Sequence, residues 1–282
     1  METIALLGTG LLGTGFAEGF LARGGVKLTV WNRTRQRAEP LAAKGAEVAD
    51  SPEEAVKGAS RVHLVLLDDA SVDATIDAMR DGLSAESVVI DHTTNLPALV
   101  AARCERLEHE GIRYLHAPVF MSPMAARNVG GHMLVAGPEG RFTQVRDALA
   151  PMTGDLWYVG ERPDLAACYK LFGNAMILAM SGTMADIFHM ADALEVDRKE
   201  AWALFSRFKP EGSFPVRAKK ILEEDYSASF ELQVARKDAR LMLESAGKEP
   251  MPVIAAIANR MDQLIAAGHA HADMAVMAKR GA

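Results

Sequence analysis

The sequence predicts an α/β fold: a doubly wound parallel sheet followed by an all-α C-terminal domain. Short apolar runs alternate with helical stretches up to Gly160, and no strand-like run follows that residue. Continuous Val, Ile and Leu runs between helices are typical of parallel strands that helices cover on both faces. We therefore expect one domain over residues 1–160 and a second, helical domain over residues 161–282.

Each strand of the first domain is predicted from a run of apolar residues, starting with "TIALLG". The predicted strands lie at 3–8, 27–31, 61–67, 87–92, 112–119, 132–137 and 155–160. In the second domain, helical periodicity between Gly and Pro breakers predicts helices at 163–194, 197–208, 215–224, 228–246 and 251–267.

Composition excludes several classes of protein. Of the 282 residues, 49% are hydrophobic and 24% are charged, which indicates a packed globular chain. The net charge of −6, without a long run of Lys or Arg, argues against a nucleic-acid or membrane partner. The N-terminal "METIALLG" has no basic stretch and only a short apolar run, so we expect a cytoplasmic protein.

The cysteines and histidines predict neither a disulfide framework nor a metal centre. Cys104 and Cys168 are the two cysteines, and no CxxC or CxxH spacing occurs. Two cysteines fit a reducing compartment. His269 and His271 lie near the C-terminus, where a solvated tail is the interpretation we favour over a metal site.

A glycine motif follows the first strand and opens the first helix. Gly8, Gly10 and Gly13 match G-x-G-x-x-G, the fingerprint of a Rossmann-type dinucleotide site. The first glycine allows the turn, the second admits a pyrophosphate, and the third allows close packing of helix and strand. Leu11 and Leu12 lie at the helix N-terminus, which favours an anion. A tight turn without a ligand is the alternative.

The repeated "GTG" permits a second register. In that register Gly13 and Gly15 would be the first two glycines, and Glu18 would stand in the third position. A side chain there would prevent close packing of the helix against the strand. The first register is therefore the predicted phosphate loop.

The residues after the second strand indicate which dinucleotide is bound. An acidic residue there would hold the ribose hydroxyls of NAD, but the chain has Asn32, Arg33 and Thr34. A carboxylate would repel a 2′-phosphate, whereas an arginine donates charge-assisted hydrogen bonds to it. We therefore predict NADP. The alternative is that Arg33, Arg35 and Arg37 form the solvated start of a helix.

Six segments in order resemble the β-hydroxyacid dehydrogenase family over nearly the whole chain. That family includes 3-hydroxyisobutyrate, tartronate-semialdehyde and glyoxylate/succinic-semialdehyde enzymes, with a 6-phosphogluconate dehydrogenase-type NADP-binding domain. The segments are "LLGTGLLGTGFAEGFL" (6–21), "LLDDASV" (66–72), "IDHTTNLP" (90–97), "HAPVFMSP" (116–123), "YKLFGN" (169–174) and "FELQVARKD" (230–238). The roughly 120 residues after the boundary look too few for the helical domain of the decarboxylating 6-phosphogluconate enzymes.

The resemblance implies that Lys170 is the general acid/base of a hydride transfer. A lysine protonates the developing alkoxide if its pKa is lowered, which burial and a second cation such as Lys237 would do. Asn174 lies one helical turn further on and would face the same way to hold the substrate or the lysine. An isolated helical lysine is usually a surface residue, but the apolar "CYKLFGNAMILAM" around Lys170 favours burial.

The resemblance also implies the remaining contacts with the cofactor. Thr94 and Lys237 would flank the nicotinamide end, and Leu67 and Val72 would lie near the middle of the dinucleotide. Without the resemblance, the charged neighbours of Lys237 in "ARKDAR" would indicate a solvated side chain.

The segment that resembles the substrate loop departs from the family pattern. The family usually has Ala-Pro-Val-Ser-Gly-Gly, whose hydroxyl and amides hold a carboxylate, whereas this chain has Phe120, Met121 and Ser122 after "APV". A buried carboxylate without partners is costly, although Ser122 supplies one hydroxyl two positions later. All three residues are candidate substrate contacts.

Two enzymatic interpretations follow, with one from another class. The first is an NADP-dependent dehydrogenase or reductase of a small aldehyde, semialdehyde or 3-hydroxyacid. The second is a reductase of an uncharged carbonyl or imine, although imine-reducing relatives usually replace the lysine that Lys170 retains. The third is a non-catalytic NADP sensor. In each case we expect the active site between the domains, a small-molecule ligand and a homodimer or homotetramer.

Overall fold

The computed structural model describes residues 1–281 of the chain. It divides into two compact units, Met1–Asn174 and Ala175–Ala282. The predicted fold class is confirmed: a mainly parallel sheet with helices is followed by a helical part. The last strand ends at Gly160, and the units meet at Asn174 within a continuous helix. The predicted domain boundary at residue 160 stays a prediction.

Nine strands form one sheet in the first unit. In chain order they are β1 (Glu2–Leu7), β2 (Val26–Trp31), β3 (Glu47–Val48), β4 (Arg61–Leu64), β5 (Val88–Asp91), β6 (Arg113–His116), β7 (Val119–Phe120), β8 (His132–Ala136) and β9 (Asp155–Gly160). Their spatial order is β3-β2-β1-β4-β5-β6-β8-β7, and β9 pairs with β8. Strand order therefore reverses between β1 and β4, where ligands bind in such sheets.

The sheet is not parallel throughout. The run predicted as one strand over residues 112–119 divides into β6 and β7, with Pro118 between them. Both β6 and β7 pair with β8 in the antiparallel direction, whereas the pairs from β3 to β6 are parallel. A proline has no backbone N–H to give to a ladder, which agrees with the break at this position.

Helices cover both faces of the sheet in the first unit. They are α1 (Leu11–Arg23), α2 (Glu39–Ala42), α3 (Pro52–Val56), α4 (Asp69–Met79), α5 (Pro97–His109), α6 (Pro123–Arg127), α7 (Glu139–Leu149) and the start of α8 (Leu165–Ala193). Alternate residues of β1 enter opposite cores: Ile4 and Leu6 pack with Phe16 of α1, whereas Ala5 and Leu7 pack in a cluster with Ile76 of α4. Burial on both faces explains the continuous apolar runs of the strands.

The second unit is helical. It contains the rest of α8, α9 (Arg198–Ala203), α10 (Phe214–Leu222), α11 (Leu232–Ala246) and α12 (Pro252–Leu264). Its core joins α11 and α12 through Leu232, Met261, Leu264 and Val276. The chain also has short 3₁₀ segments at Arg35–Arg37, Arg80–Gly82, Ala150–Met152, Leu204–Ser206, Pro210–Ser213 and Met274–Ala278, and a π segment at Ile265–His269.

Helix α8 is unusual in its length and its apolar surface. The helix has 29 residues and is long and apolar enough to cross a membrane. Only 6% of its most apolar 18-residue window is buried within the chain. Within the second unit, Gly182 packs against Val253, and the buried Asp186 carboxylate accepts a hydrogen bond from the Ile254 amide at 2.8 Å. These contacts make the part of α8 after Asn174 an element of the folded second unit.

Candidate active site

The predicted phosphate loop forms the turn between β1 and α1. Gly8 has φ +102°, and a Cβ there would lie 2.1 Å from the Val65 carbonyl oxygen. A Cβ on Gly13 would lie 1.9 Å from the carbonyl oxygen of Gly8. Gly10 precedes α1, and the space beside its Cα is open to 4 Å. Gly8 and Gly13 thus close the turn, and Gly10 leaves room for a phosphate at the helix N-terminus.

The first two residues of α1 border this open side. Leu11 is 83% exposed, whereas Leu12 is partly buried and packs against the core that contains Phe16. The predicted contact of Leu11 and Leu12 with the dinucleotide stays a prediction.

The residues after β2 lie beside the phosphate loop. The Asn32 side chain accepts a hydrogen bond from the Thr9 amide at 3.0 Å and donates one to the Thr34 carbonyl at 2.9 Å. Asn32 thus joins the end of β2 to the glycine turn. Arg33 and Thr34 are exposed, and no carboxylate within residues 1–281 lies within ion-pair distance of Arg33. Arg35, in contrast, pairs with Asp50 and Glu39.

Two loops at the carboxyl ends of β4 and β5 carry two more of the predicted cofactor contacts, and a third lies in α4. Leu67 is 84% exposed, and Thr94 is also exposed. Val72 is fully buried in the core with Ile76 and Met79. Its side chain packs in this core from α4, and its predicted place near the middle of the dinucleotide stays a prediction.

The lysine of α8 meets an aromatic ring from the predicted substrate loop. Lys170 is partly buried, and its Nζ lies 4.2 Å from the centroid of the Phe120 ring. Within the described residues no carboxylate pairs with this lysine. Burial lowers the pKa of Lys170 below its ordinary value of 10.5. A half-buried lysine with a lowered pKa, held only by a π face, is able to give up its proton.

The same ring fills the space beside Gly173. A Cβ on Gly173 would lie 2.3 Å from Cζ of Phe120 and 2.6 Å from its Cε1. Phe120 therefore lies against α8 along the stretch from Lys170 to Gly173. The room beside this glycine is occupied by the protein's own aromatic side chain.

The other predicted substrate residues lie close to Phe120 or Lys170 in the chain. Met121 is partly buried and packs against the core, and Ser122 begins α6 with its Oγ accepting a hydrogen bond from the Ala125 amide at 3.1 Å. Asn174 is partly buried, and its side-chain amide has no hydrogen-bond partner in the described part of the chain. Ser122 acts as a helix cap, which leaves its hydroxyl proton and one lone pair for a ligand.

Lys237 lies on α11 in the second unit. Its side chain is 53% exposed and pairs with Asp238 at 2.9 Å. Its predicted place near the nicotinamide stays a prediction. No group of three or more His, Cys, Asp or Glu side chains within residues 1–281 is arranged to hold a metal ion.

The sequence reasoning missed a buried polar network beside the loops that follow β4 and β5. Asp91 ends β5 and is fully buried; it accepts hydrogen bonds from Tyr114 at 2.7 Å and Asn95 at 2.7 Å. Arg103 of α5 is 2% exposed and pairs with Asp69. The available signal was that Arg103 lies on the apolar stripe of its helix, between Val100 and Leu107.

Comparisons with known proteins agree with this geometry. The family model of the NAD binding domain of 6-phosphogluconate dehydrogenase matches residues 3–160. The uncharacterized oxidoreductase YfjR of Bacillus subtilis is 30% identical over 254 residues, which are 86% of each chain. The mitochondrial 3-hydroxyisobutyrate dehydrogenase of Drosophila melanogaster is 27% identical over 269 residues, 89% of this chain and 81% of its own.

A solved structure has the same fold. The imine reductase from Myxococcus stipitatus in complex with NADP+ superimposes with a TM-score of 0.87 at 23% identity, over 98% of each chain. The predicted dinucleotide-binding domain at the N-terminus is confirmed by the matching family model. The glycine turn and the open helix N-terminus fit such a cofactor.

Proposed function

This chain belongs to the β-hydroxyacid dehydrogenase-like family of NAD(P)-dependent oxidoreductases, and on that premise we propose that it reduces a small aldehyde or semialdehyde with NADPH, or oxidises the matching 3-hydroxyacid-type alcohol. The observation that carries the proposal is Lys170, partly buried, without a carboxylate partner in the described residues, and with a pKa lowered by burial. NADPH supplies the hydride when it is bound.

The chain's own residues handle binding and the proton. In reduction, the Lys170 ammonium donates a proton to the carbonyl oxygen of the substrate as negative charge develops there. In the opposite direction, the neutral amine accepts the proton of the alcohol. Asn174, one turn further along α8 and without a partner in the described chain, is placed to orient the substrate oxygen or the lysine.

Arg33 supports NADP as the cofactor. It is exposed beside the phosphate loop, without a carboxylate at ion-pair distance in the described residues, so its guanidinium is available to a 2′-phosphate. One charge-assisted hydrogen bond contributes about 1.5–3 kcal/mol, which corresponds to roughly one to two powers of ten in affinity. The Myxococcus stipitatus structure, which holds NADP+, supports the same choice.

A second candidate function has its own supporting observation. The Phe120 ring lies over Lys170 where the family pattern has a serine for a carboxylate. An apolar wall beside the proton donor favours an uncharged carbonyl or an imine, because an anion there would lose its solvation without a partner. Similarity of fold to an imine reductase agrees with this candidate.

The rate of NADPH oxidation with succinic semialdehyde and with butanal tests both candidates. The two aldehydes differ mainly in the carboxylate, and a preformed cyclic imine is the third substrate. A preference for the semialdehyde supports the first function. Equal rates, or faster reduction of butanal or of the imine, support the second. No oxidation of NADPH with any of them, despite tight NADPH binding, would contradict both.

Phe120→Ser sharpens this test, with Phe120→Leu as its control. Serine restores the family pattern and opens the wall, so the rate ratio of semialdehyde to butanal should rise. Leucine keeps an apolar side chain and should leave the ratio near its wild-type value. An equal change in both variants would contradict a role for Phe120 in excluding the carboxylate.

A second copy of the chain is the proposed partner of helix α8. Its exposed apolar side chains form a surface of the kind that soluble monomers rarely leave uncovered. They include Leu171, Phe172, Met176, Ile177, Leu178 and Met180. Leu178→Glu should shift the molar mass measured by light scattering from dimer or tetramer towards monomer, whereas Lys248→Glu on the exposed surface should not. A wild-type monomer would contradict the homo-oligomer.

A further inference from the structure

Two loops at the carboxyl edge of the sheet carry the exposed residues Leu67 and Thr94. The β4 loop comprises residues 65–68 and leads into α4; the β5 loop comprises residues 92–96 and leads into α5. Two hydrogen bonds join the β5 loop to the β4 loop and to the first residue of α4. The Leu66 amide donates to Thr93 Oγ1 at 3.0 Å, and the Leu96 amide donates to Asp69 Oδ2 at 3.0 Å.

These bonds lie on both sides of the exposed residues. Leu67 is between Leu66 and Asp69 in the chain, and Thr94 is between Thr93 and Leu96. The backbone at Leu67 and at Thr94 is therefore fixed by a hydrogen bond on its N-terminal side and another on its C-terminal side.

Arg103 holds the carboxylate that completes the link. Its Nη2 donates to Asp69 Oδ1 at 2.9 Å, while its Nε donates to Asp73 Oδ1 at 2.7 Å. The Arg103 side chain is 1% exposed, so its geometry is set by packing within the unit. Although burial would lower the pKa of Arg103, its bonds to Asp73 and Asp69 raise it, so the arginine stays charged.

A second carboxylate holds the β5 loop from the sheet side. Asp91 Oδ1 accepts from the Thr93 amide at 2.9 Å, and its Oδ2 accepts from Asn95 Nδ2 at 2.7 Å. Arg103 Nη1 lies 4.0 Å from the same Oδ2. One buried arginine thus lies between Asp69, which begins α4 after the β4 loop, and Asp91, which ends β5 before the β5 loop.

We propose that Arg103 and Asp69 are positioning residues for the cofactor: through the Leu96 amide they fix the β4 and β5 loops together before the dinucleotide binds. The inference rests on the proposed NADPH-dependent reduction for the identity of the ligand. Its physical basis is that an ordered loop loses less conformational freedom on binding than a free one.

Asp69→Asn and Asp73→Asn form a matched pair that separates positioning from stability. Each removes one of the carboxylates that Arg103 holds, so each should lower Tm. Only Asp69 bonds the Leu96 amide; because an asparagine offers one acceptor atom in place of two, Asp69→Asn must lose either that bond or its bond to Arg103. The dissociation constant of NADPH, measured by fluorescence titration of the full chain, should rise about tenfold in Asp69→Asn and stay within about twofold of wild type in Asp73→Asn.

Thr93→Val and Thr93→Ser test the bond between the Leu66 amide and Thr93 Oγ1. They also test the inference if an aspartate variant fails to fold. Valine removes the acceptor for the Leu66 amide and should weaken NADPH binding, whereas serine keeps a hydroxyl and should restore it. Equal NADPH affinity in wild type, Asp69→Asn and Thr93→Val, or equal weakening in Asp69→Asn and Asp73→Asn, would overturn the inference. A wild-type chain that binds no NADPH would instead overturn the proposed function, and this inference with it.

Discussion

The ammonium of Lys170 lies 4.2 Å from the centre of the Phe120 ring, and no carboxylate in residues 1–281 pairs with it. A carboxylate partner would hold the lysine in its charged form, whereas a π face is a weaker partner that excludes water. The pair therefore combines a proton donor with an apolar wall, and this combination is the basis of the predicted chemistry.

Replacement of Lys170 should remove activity without removing cofactor binding. Lys170→Ala should lower kcat/KM for carbonyl reduction by about 10²–10⁴, because the alkoxide loses its proton donor. NADPH affinity, followed by fluorescence, should stay within about twofold of wild type. Retention of most activity would contradict the general acid, and a wild type that binds NADPH without turnover would indicate a sensor.

The lowered pKa of Lys170 also sets the pH dependence of the reaction. Reduction needs the ammonium form, so kcat/KM for reduction should fall as pH rises through a pKa below 10.5. Oxidation of the alcohol needs the neutral amine and should rise through the same pKa. The two pH–rate profiles measure this directly, and a shared direction of change would contradict the assignment.

The contact between Phe120 and Gly173 predicts that the effect of Gly173→Ala on the free energy of unfolding changes sign when the Phe120 ring is removed. Alanine is favoured over glycine in a helix by about 1 kcal/mol, but a Cβ at residue 173 would meet the ring at 2.3 Å, and overpacking costs about 1–3 kcal/mol. Gly173→Ala should thus lower the free energy of unfolding in wild type and raise it in a Phe120→Ala background. Urea unfolding of the four chains measures the coupling, and additive effects would contradict the contact.

Arg33 should determine the choice of cofactor. Arg33→Ala should raise KM for NADPH about ten- to a hundredfold while leaving KM for NADH nearly unchanged, since only NADPH carries the 2′-phosphate. Arg35→Ala is the matched control, because Arg35 already pairs with Asp50 and Glu39. If the Arg35 variant loses more affinity for NADPH than the Arg33 variant, the recognition site lies elsewhere.

Buried histidines predict a loss of stability in mild acid. His92 Nδ1 donates to the Ala117 carbonyl at 2.7 Å, so its Nε2 accepts from His63 Nδ1 at 3.0 Å, and both rings are neutral. Burial lowers the pKa of His92 from 6.5 to about 4 and that of His63 well below 6.5. As pH falls below 6.5, the unfolded chain therefore binds protons that the folded chain does not.

The free energy of unfolding should then decrease by about 1.4 kcal/mol per pH unit for each such histidine between pH 6 and pH 5. Urea titrations at several pH values measure the slope. His63→Leu should make the slope smaller, whatever its effect on stability at pH 7. An unchanged slope in that variant would show that His63 does not contribute.

The sequence predicted most features that depend on neighbouring residues. The glycine motif at Gly8, Gly10 and Gly13 is predictable because a tight turn and the start of a helix depend on residues that are adjacent in the chain. The strands are predictable because burial on both faces requires continuous apolar runs. The contact of Phe120 with Lys170 joins residues 50 positions apart, so no local pattern contains it. Val72 matched a family segment, but its side chain belongs to the core.

The two hydrogen bonds of the Asn32 side chain limit which substitutions can change the cofactor preference, in evolution or by design. The position where an acidic residue would bring a preference for NAD also braces the glycine turn, through Thr9 on one side and Thr34 on the other. Aspartate would keep an acceptor for the Thr9 amide but lose the donor to the Thr34 carbonyl. An aspartate that favours NAD at this position therefore keeps the bond to the glycine turn but releases the segment after β2 that carries Arg33 and Thr34. A substitution of Arg33 disturbs neither bond and is the simpler way to change the cofactor preference.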